Sequence, residues 1–227
     1  KCMPMFERLK KAWLRLHWSS AQREPLTRWA QARGLVFTPQ VHGAYVFSGN
    51  WSGQPVRIEC TASSRPFIKG MELMARADLG LQGTGGVVLM NRALKLHLEQ
   101  WASELYSRYT DTLQTTAHAL PDEVRWLAMY RDAGWTGPDR RFWARYAVLT
   151  DTPDIARQWI DSDGLQRLMD WPANAVAAET PLMLMVMRGK AYMRLQIDAP
   201  RDTATALHAL DLFHHFSEQA RKMLAPR

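Results

Sequence analysis

Hydrophobic side chains recur every three or four residues in several segments, the spacing that places them on one face of an α-helix. In the first, FERLKKAWLRLHW (6–18), Phe6, Leu9, Trp13 and Leu16 share a face, and Arg8, Lys11 and Arg15 lie on the opposite face. The pattern therefore predicts that the chain begins with a basic amphipathic helix. The same spacing predicts further helices over residues 25–34, 92–109, 121–134, 152–160, 163–171 and 203–224.

Other segments alternate hydrophobic and polar residues, which is typical of β-strands. Residues 44–63 predict a hairpin that turns near Ser52-Gly53, and residues 182–197 predict another about Arg188-Gly189. Because short turns join antiparallel strands, we predict an α+β fold with an antiparallel sheet and amphipathic helices packed on one face. Single strands are predicted over residues 35–39, 67–77, 86–90 and 140–150.

The order of these elements predicts how the chain is divided. We expect residues 1–34 to form an N-terminal helical segment and residues 35–227 to form the α+β domain. Two strand-rich lobes, 35–110 and 140–227, are an alternative division of that domain. With 227 residues, 47% of them hydrophobic, the chain can bury a sizeable core.

Positive charge is concentrated at the start of the chain. The whole chain has a net charge of +7, and residues 1–18 hold five cations against one acid, a net +4. The other 209 residues therefore carry only +3. A nucleic-acid-binding domain would spread this excess over its body, so the distribution argues against a nucleic-acid partner.

An apolar stripe backed by cations suits an interfacial membrane helix, a helix docked on an acidic protein, or a helix packed on its own sheet. The leading hypothesis is a non-catalytic, bacterial-type cytoplasmic interaction or accessory protein. It would dock through this helix on a protein partner or on the inner face of an anionic membrane, with a homo-oligomer also open. The predicted contact residues are Phe6, Leu9, Lys10, Lys11, Trp13, Arg15 and Leu16.

The cysteines and apolar runs bear on the compartment. Cys2 and Cys60 are too few for a disulfide framework, so we expect reduced thiols and a cytoplasmic location. Cys60 shares a strand face with Val56 and Ile58, which predicts a buried thiol. No apolar run approaches the roughly 20 residues that span a bilayer, and no signal-peptide pattern is present.

A second hypothesis is an anion- or nucleotide-binding domain. The stretch SSRPFIKGMELMARADLG (63–80) combines hydroxyls, glycines and cations, but it leads into a predicted strand. Phosphate-binding loops place their glycines before a helix, so neither common phosphate fingerprint is present. A weaker basic patch at a sheet edge remains as a prediction, made of Arg57, Ser63, Ser64, Arg65 and Lys69.

Three residues of the last helix, His208, Asp211 and His215, have a spacing that could bind a metal. They lie opposite the apolar stripe, so we interpret them as a solvated face and predict no metal and no cofactor. No nucleophile motif such as G-x-S-x-G is present, and no catalytic residue is predicted. An enzyme assembled from distant residues is a third hypothesis. Whether Trp126, Trp135 and Trp143 line a groove or fill the interior is open.

Overall fold

The computed structural model describes residues 18–82, 85–111, 121–172, 179–198 and 203–224, which form nine strands and seven α-helices. The strands are β1 (Leu35–Pro39), β2 (Tyr45–Trp51), β3 (Gln54–Ala62), β4 (Met71–Asp78), β5 (Gly86–Asn91), β6 (Arg131–Ala133), β7 (Tyr146–Thr150), β8 (Leu182–Met187) and β9 (Lys190–Ile197). The helices are α1 (Ser20–Gln31), α2 (Arg92–Asp111), α3 (Asp122–Met129), α4 (Arg140–Arg145), α5 (Pro153–Trp159), α6 (Ser162–Met169) and α7 (Thr203–Leu224).

All nine strands belong to one sheet in the order β1-β2-β3-β4-β9-β8-β5-β7-β6. Every neighbouring pair is antiparallel, so the predicted α+β class with an antiparallel sheet is confirmed. The C-terminal strand β9 lies between β4 and β8. Strands from the segments 35–110 and 140–227 therefore share this sheet.

The larger core lies on one face of the sheet, under α1 and α4 to α7. Helix α7 is central to it, with Phe213 beside Trp51 at a ring distance of 5.8 Å. On its other flank Phe216 packs against Trp159 at 5.0 Å. Aromatic rings thus join the sheet, α7 and α5 into one apolar body.

A smaller core lies on the opposite face, where α2 and α3 cover β5, β7 and β8. Leu94 and Leu98 of α2 pack there against Val88, Met90 and Met185. Helices were predicted on one face of the sheet. The structure has the larger helical layer on that face and a second, smaller one on the opposite face. Exposed and buried residues alternate along β3 and β4, so this part of the second face is in contact with solvent.

Two predicted strands begin later than expected. Residues 140–150 contain the short helix α4 before β7, because Asp139 caps it by accepting hydrogen bonds from the N–H groups of Arg141 (2.8 Å) and Phe142 (3.0 Å). Residues 67–77 contain β4 only from Met71. Phe67 and Ile68 lie in the preceding loop, where both are buried in the smaller core.

The helix predicted over residues 121–134 is also shorter than expected. It ends at Met129, and Arg131–Ala133 forms the edge strand β6 against β7. Tyr130 joins the two elements with an extended backbone, φ −109° and ψ 146°. The direction of the chain thus changes at Tyr130.

Most of the predicted N-terminal helix (6–18) lies outside the described residues, and so do its predicted contact residues. Trp18, at its end, is 6% exposed and donates its indole N–H to the carbonyl oxygen of Ala44 at 3.2 Å. The boundary at residue 34 stays a prediction. Within the described ranges, no helix has the length and apolar character needed to cross a membrane.

Candidate partner-binding cleft

One wall of a cleft is formed by α3. Pro121 precedes the helix. The acidic residues Asp122 and Glu123 occupy its first turn, where the helix dipole favours negative charge. Val124 faces the interior, while Trp126 and Tyr130 are half-buried on the side that faces the sheet. Met129, in the last turn, is 66% exposed. The helix therefore presents large apolar side chains to solvent at one end.

The opposite wall is the β8–β9 hairpin. Its turn residues Arg188 and Gly189 have positive φ angles of 51° and 70°, as in the two-residue turns that match the twist of a hairpin. A Cβ atom on Gly189 would overlap the carbonyl oxygen of Leu81, so glycine is required there. This confirms the predicted turn. The hairpin presents Met187 and Tyr192 to the cleft.

Between α3 and this hairpin lies a cleft of about 820 Å³, which we call the α3 cleft. That volume lies within the range of roughly 300–1,000 Å³ typical of ligand pockets. The lining combines charged residues with methionines and aromatic residues. Its members are Gly85, Asp122, Arg125, Trp126, Met129, Tyr130, Asp151, Met185, Met187, Arg188, Lys190, Tyr192 and Arg194.

The charge of the α3 cleft is positive, with four cations against two acids in its lining. Arg125 is paired with Asp122 one turn earlier, and Arg194 is paired with Glu72 at 2.6 Å. Arg188 and Lys190 form no ion pair with any described residue. Two cations at the tip of the hairpin are therefore available to a negatively charged partner.

Tyr130 lies at the inner end of the cleft, with its hydroxyl above Gly86. A Cβ atom on Gly86 would lie 2.5 Å from that hydroxyl oxygen, so the glycine leaves room for the ring. Burial raises the pKa of Tyr130, the carboxylate of Asp151 raises it further, and Arg188 lowers it in part. The phenol is therefore neutral at physiological pH and offers an O–H donor beside the apolar lining.

The loop before β4 holds α3 in place. The guanidinium of Arg65 lies 2.7 Å from the carboxylate of Glu123, which is 1% exposed. Ser63 donates its hydroxyl to Glu72 at 2.8 Å and accepts the backbone N–H of Arg65 at 3.0 Å. Phe67 of the same loop is buried in the smaller core. Polar and apolar contacts of the loop therefore both anchor α3.

The predicted anion-binding residues are thus only partly brought together. Ser63 and Arg65 meet in the loop, but both already have acidic or backbone partners. Ser64 and Lys69 are exposed in the same loop. Arg57 pairs with Glu59 in β3, roughly 20 Å away at about 3.3 Å per strand residue. The anion patch stays a prediction.

The predicted solvated face of His208, Asp211 and His215 is only partly exposed, because all three residues are half-buried against other helices. His208 contacts the carbonyl oxygen of Arg167 at 2.9 Å, and Asp211 accepts the indole N–H of Trp29 at 2.7 Å. His215 lies 2.9 Å from Asp161. These residues face α1 and α6, which pack along the second side of α7. Among the described residues no group of three side chains is placed to hold a metal.

Cys60 is buried as predicted, and burial raises its pKa to about 12. The open question about the tryptophans has two answers. Trp126 lines the α3 cleft. Trp135 and Trp143 pack edge to face at a ring distance of 5.0 Å and contact the larger core.

Sequence reasoning missed the cleft because its residues come from four separate parts of the chain, at residues 85, 122–130, 151 and 185–194. A signal was present nevertheless, since the segment LMLMVMRGKAYMR (182–194) places methionines and cations on the same hairpin. Met129 follows the acidic start of α3. Only the position of β9 next to β8 and below α3 assembles these residues into one surface.

No protein-family model matches the chain, and no curated protein matches it. Among solved structures, the crystal structure of the mycobacterial trehalose monomycolate transport factor A, TtfA, is similar at 12% sequence identity and a TM-score of 0.46. The match covers 92% of this chain and 99% of that chain. A similarity of this size shows nothing about the function of this chain.

Proposed function

We propose that this chain is a non-catalytic interaction or accessory protein that holds a partner in the α3 cleft. The observation that carries the proposal is the combination of half-exposed aromatic and methionine side chains with two cations, Arg188 and Lys190, that form no ion pair within the part of the chain that the structure describes. Aromatic residues, methionine and arginine are the residues enriched at the centres of protein interfaces. Methionine adds flexibility, which lets one surface adapt to its partner.

Site-specific photo-cross-linking tests this proposal. A photoreactive residue at position 129 in the full chain is expected to capture a partner in cell extracts. A matched residue at position 36 is the control, because Val36 is 64% exposed on β1, four strands away from β9. Capture at 129 that disappears with Arg188→Asn and does not occur at 36 supports the proposal. Equal capture at both positions contradicts it.

The basic N-terminal helix supplies a second contact in this proposal. Its net charge of +4 beside an apolar stripe suits an acidic protein or an anionic membrane surface. Trp18, buried against Tyr45 and Phe37, fixes the point at which this segment joins the body. In the membrane version the protein is cytoplasmic and peripheral to the inner face of the membrane.

Co-sedimentation with anionic vesicles tests the membrane version. The variant Lys10→Gln/Lys11→Gln/Arg15→Gln is expected to lose vesicle binding at low salt, while Arg157→Gln, an exposed cation of α5, keeps it. Binding should weaken by about 1 kcal/mol for each cation removed near the surface. Absence of binding by the wild type at low salt contradicts the membrane version.

A second candidate function is anion binding at the loop before β4. The exposure of Ser64 and Lys69 next to Arg65 favours it, since these side chains reach solvent together. Inorganic phosphate or nucleotides should then raise the melting temperature, and Lys69→Ala and Arg65→Ala should remove that shift. A constant melting temperature across a nucleotide panel contradicts this candidate.

A further inference from the structure

We propose that the α3 cleft binds an acidic amphipathic peptide segment of another protein, an inference that rests on the proposed function. Apolar anchors of the peptide contact Trp126, Met187 and Tyr192. Its carboxylates lie against Arg188 and Lys190. This is the helix-in-groove mode of recognition, in which a helix places its apolar face in a groove and its charges at the rim.

The dimensions of the cleft suit a short helix. The eight residues of α3 give a wall about 12 Å long at roughly 1.5 Å per residue. Two to three turns of a bound helix match that length. The eight-residue strand β9 extends the opposite wall beyond the end of α3, along Tyr192 and Arg194.

The mixed lining favours a peptide over a hydrocarbon chain. Of the residues that line the cleft, six are charged and six are methionine or aromatic. An acyl chain offers no polar groups to replace the water around six charged side chains. A peptide helix presents apolar and acidic side chains at three- and four-residue spacing, so both kinds of lining residue find a partner.

Arg188 and Lys190 favour a ligand with negative charge. Arg125 and Arg194 already have acidic partners, whereas Arg188 and Lys190 form no ion pair with a described residue and outnumber the one lining acid that likewise forms none, Asp151. The carboxylates of a bound helix would meet these two side chains at the open end of the hairpin. Charge complementarity of this kind speeds association and discriminates against a basic partner.

Within residues 1–227, the segments that the structure does not describe include no acidic one. Residues 1–17 carry a net charge of +4, which is the sign of the cleft. The other segments outside the described residues carry no net negative charge: residues 83–84, 112–120, 173–178, 199–202 and 225–227. None of these segments could therefore supply the acidic ligand.

Three fluorescent peptides test the inference with the full chain. They share one apolar face of leucine and phenylalanine, and their polar faces are acidic, neutral or basic. Fluorescence anisotropy should give an affinity for the acidic peptide about tenfold or more above that for the basic one, and the difference should shrink as salt is added. Equal affinities for the acidic and basic peptides would overturn the inference.

Matched variants place the binding at the cleft. Arg188→Asn removes the charge but keeps a residue that tolerates the positive φ of 51°. Together with Lys190→Gln it should lower the affinity for the acidic peptide about tenfold and leave the affinity for the neutral peptide unchanged. Lys190→Gln alone gives a smaller loss and does not touch the turn. Arg157→Gln, on the opposite face of the molecule, should bind like the wild type.

The remaining outcomes separate this inference from the proposed function. If the neutral peptide or anionic vesicles bind and Met129→Gln weakens that binding, while the acidic peptide does not bind, the ligand chemistry proposed here is wrong and the interaction function stands. If no probe binds in a way that depends on residues 129, 188 and 190, both are wrong. Loss of binding with Arg157→Gln contradicts the assignment to the cleft.

Discussion

At the scale of single residues, Glu123 shows how the cleft is held open. Its carboxylate is 1% exposed, and Arg65 at 2.7 Å is its ion-pair partner among the described residues. One of its oxygen atoms, Oε2, is buried and accepts no hydrogen bond from any residue in the described ranges. Loss of the cation would leave a buried negative charge unpaired, which is far more costly than loss of a pair at the surface.

Arg65→Ala is therefore expected to lower the free energy of unfolding by about 2–3 kcal/mol, somewhat less than for a fully buried pair because Arg65 is partly exposed. The double variant Arg65→Ala/Glu123→Gln should recover part of the loss, since it also removes the stranded charge. Urea unfolding measures both. Arg125→Ala, whose partner Asp122 is exposed, should change the stability by no more than about 1 kcal/mol. A similar loss in Arg125→Ala and Arg65→Ala would contradict this account.

Cys60 gives a second prediction at this scale. Burial and a pKa of about 12 leave almost no thiolate at pH 8. In a Cys2→Ser variant, the native protein should not react with a thiol reagent at pH 8, and one thiol should react after unfolding in guanidinium. Rapid reaction of the native variant would show that the β3 strand opens readily.

At the scale of elements, the β8–β9 hairpin depends on its turn. Arg188 and Gly189 both have left-handed backbone conformations, and the space beside Gly189 is filled by the Leu81 carbonyl. An alanine at 189 would have to displace backbone, whereas asparagine at 188 adopts a positive φ with little strain.

Gly189→Ala should consequently destabilise the protein by at least about 2 kcal/mol, and Arg188→Asn should change its stability by less than about 0.5 kcal/mol. Thermal or urea unfolding of both variants measures the contrast. Equal stability of Gly189→Ala and the wild type would contradict the turn described here.

The elements also show what the sequence predicts and what it does not. Both hairpins and the long last helix follow from periodicity and turn residues, which are local properties. Helix α4 was missed because its aromatic residues resemble a strand and the cap, Asp139, lies outside the pattern. The side of α7 that bears His208 was expected to face solvent, but packing of other helices is not encoded in its own periodicity.

At the scale of the whole molecule, α7 lies between the sheet and a second set of helices, which half-bury two of its histidines. Burial lowers the pKa of His208, and burial together with the nearby Arg33 lowers that of His214. As the pH is lowered, both histidines take up protons near pH 6.5 in the unfolded chain and only at a lower pH in the folded protein. Stability from the neutral histidines is therefore present above the unfolded pKa and lost as the pH falls through the folded one.

We expect the free energy of unfolding to decrease as the pH is lowered from about 7 to about 5. The variant His208→Gln/His214→Gln should show a smaller decrease over the same range, because it lacks both groups. Urea unfolding at several pH values measures the two slopes. The same slope in the variant and the wild type would contradict the role given to these histidines.

The cleft could not be predicted from the sequence because its walls are brought together by the packing of the whole molecule. β9 follows β8 directly in sequence, but α3 reaches the hairpin only through the packing of α2, α3 and the loop that contains Phe67 on the second face of the sheet. The two walls of the cleft, α3 and the β8–β9 hairpin, are more than 50 residues apart in the chain. Sequence periodicity assigns residues to faces, but it does not bring distant faces together.

Methionine-methyl NMR of the full chain, titrated with the acidic peptide, tests the central claim most directly. The resonances of Met129, Met185 and Met187, which line the cleft, are predicted to shift. Those of Met193 and Met169, in or against the larger core on the opposite face, should stay in place and serve as internal controls. Shifts at Met193 and Met169 with none at the cleft methionines, or no shifts at all, would contradict the claim that the α3 cleft holds a partner.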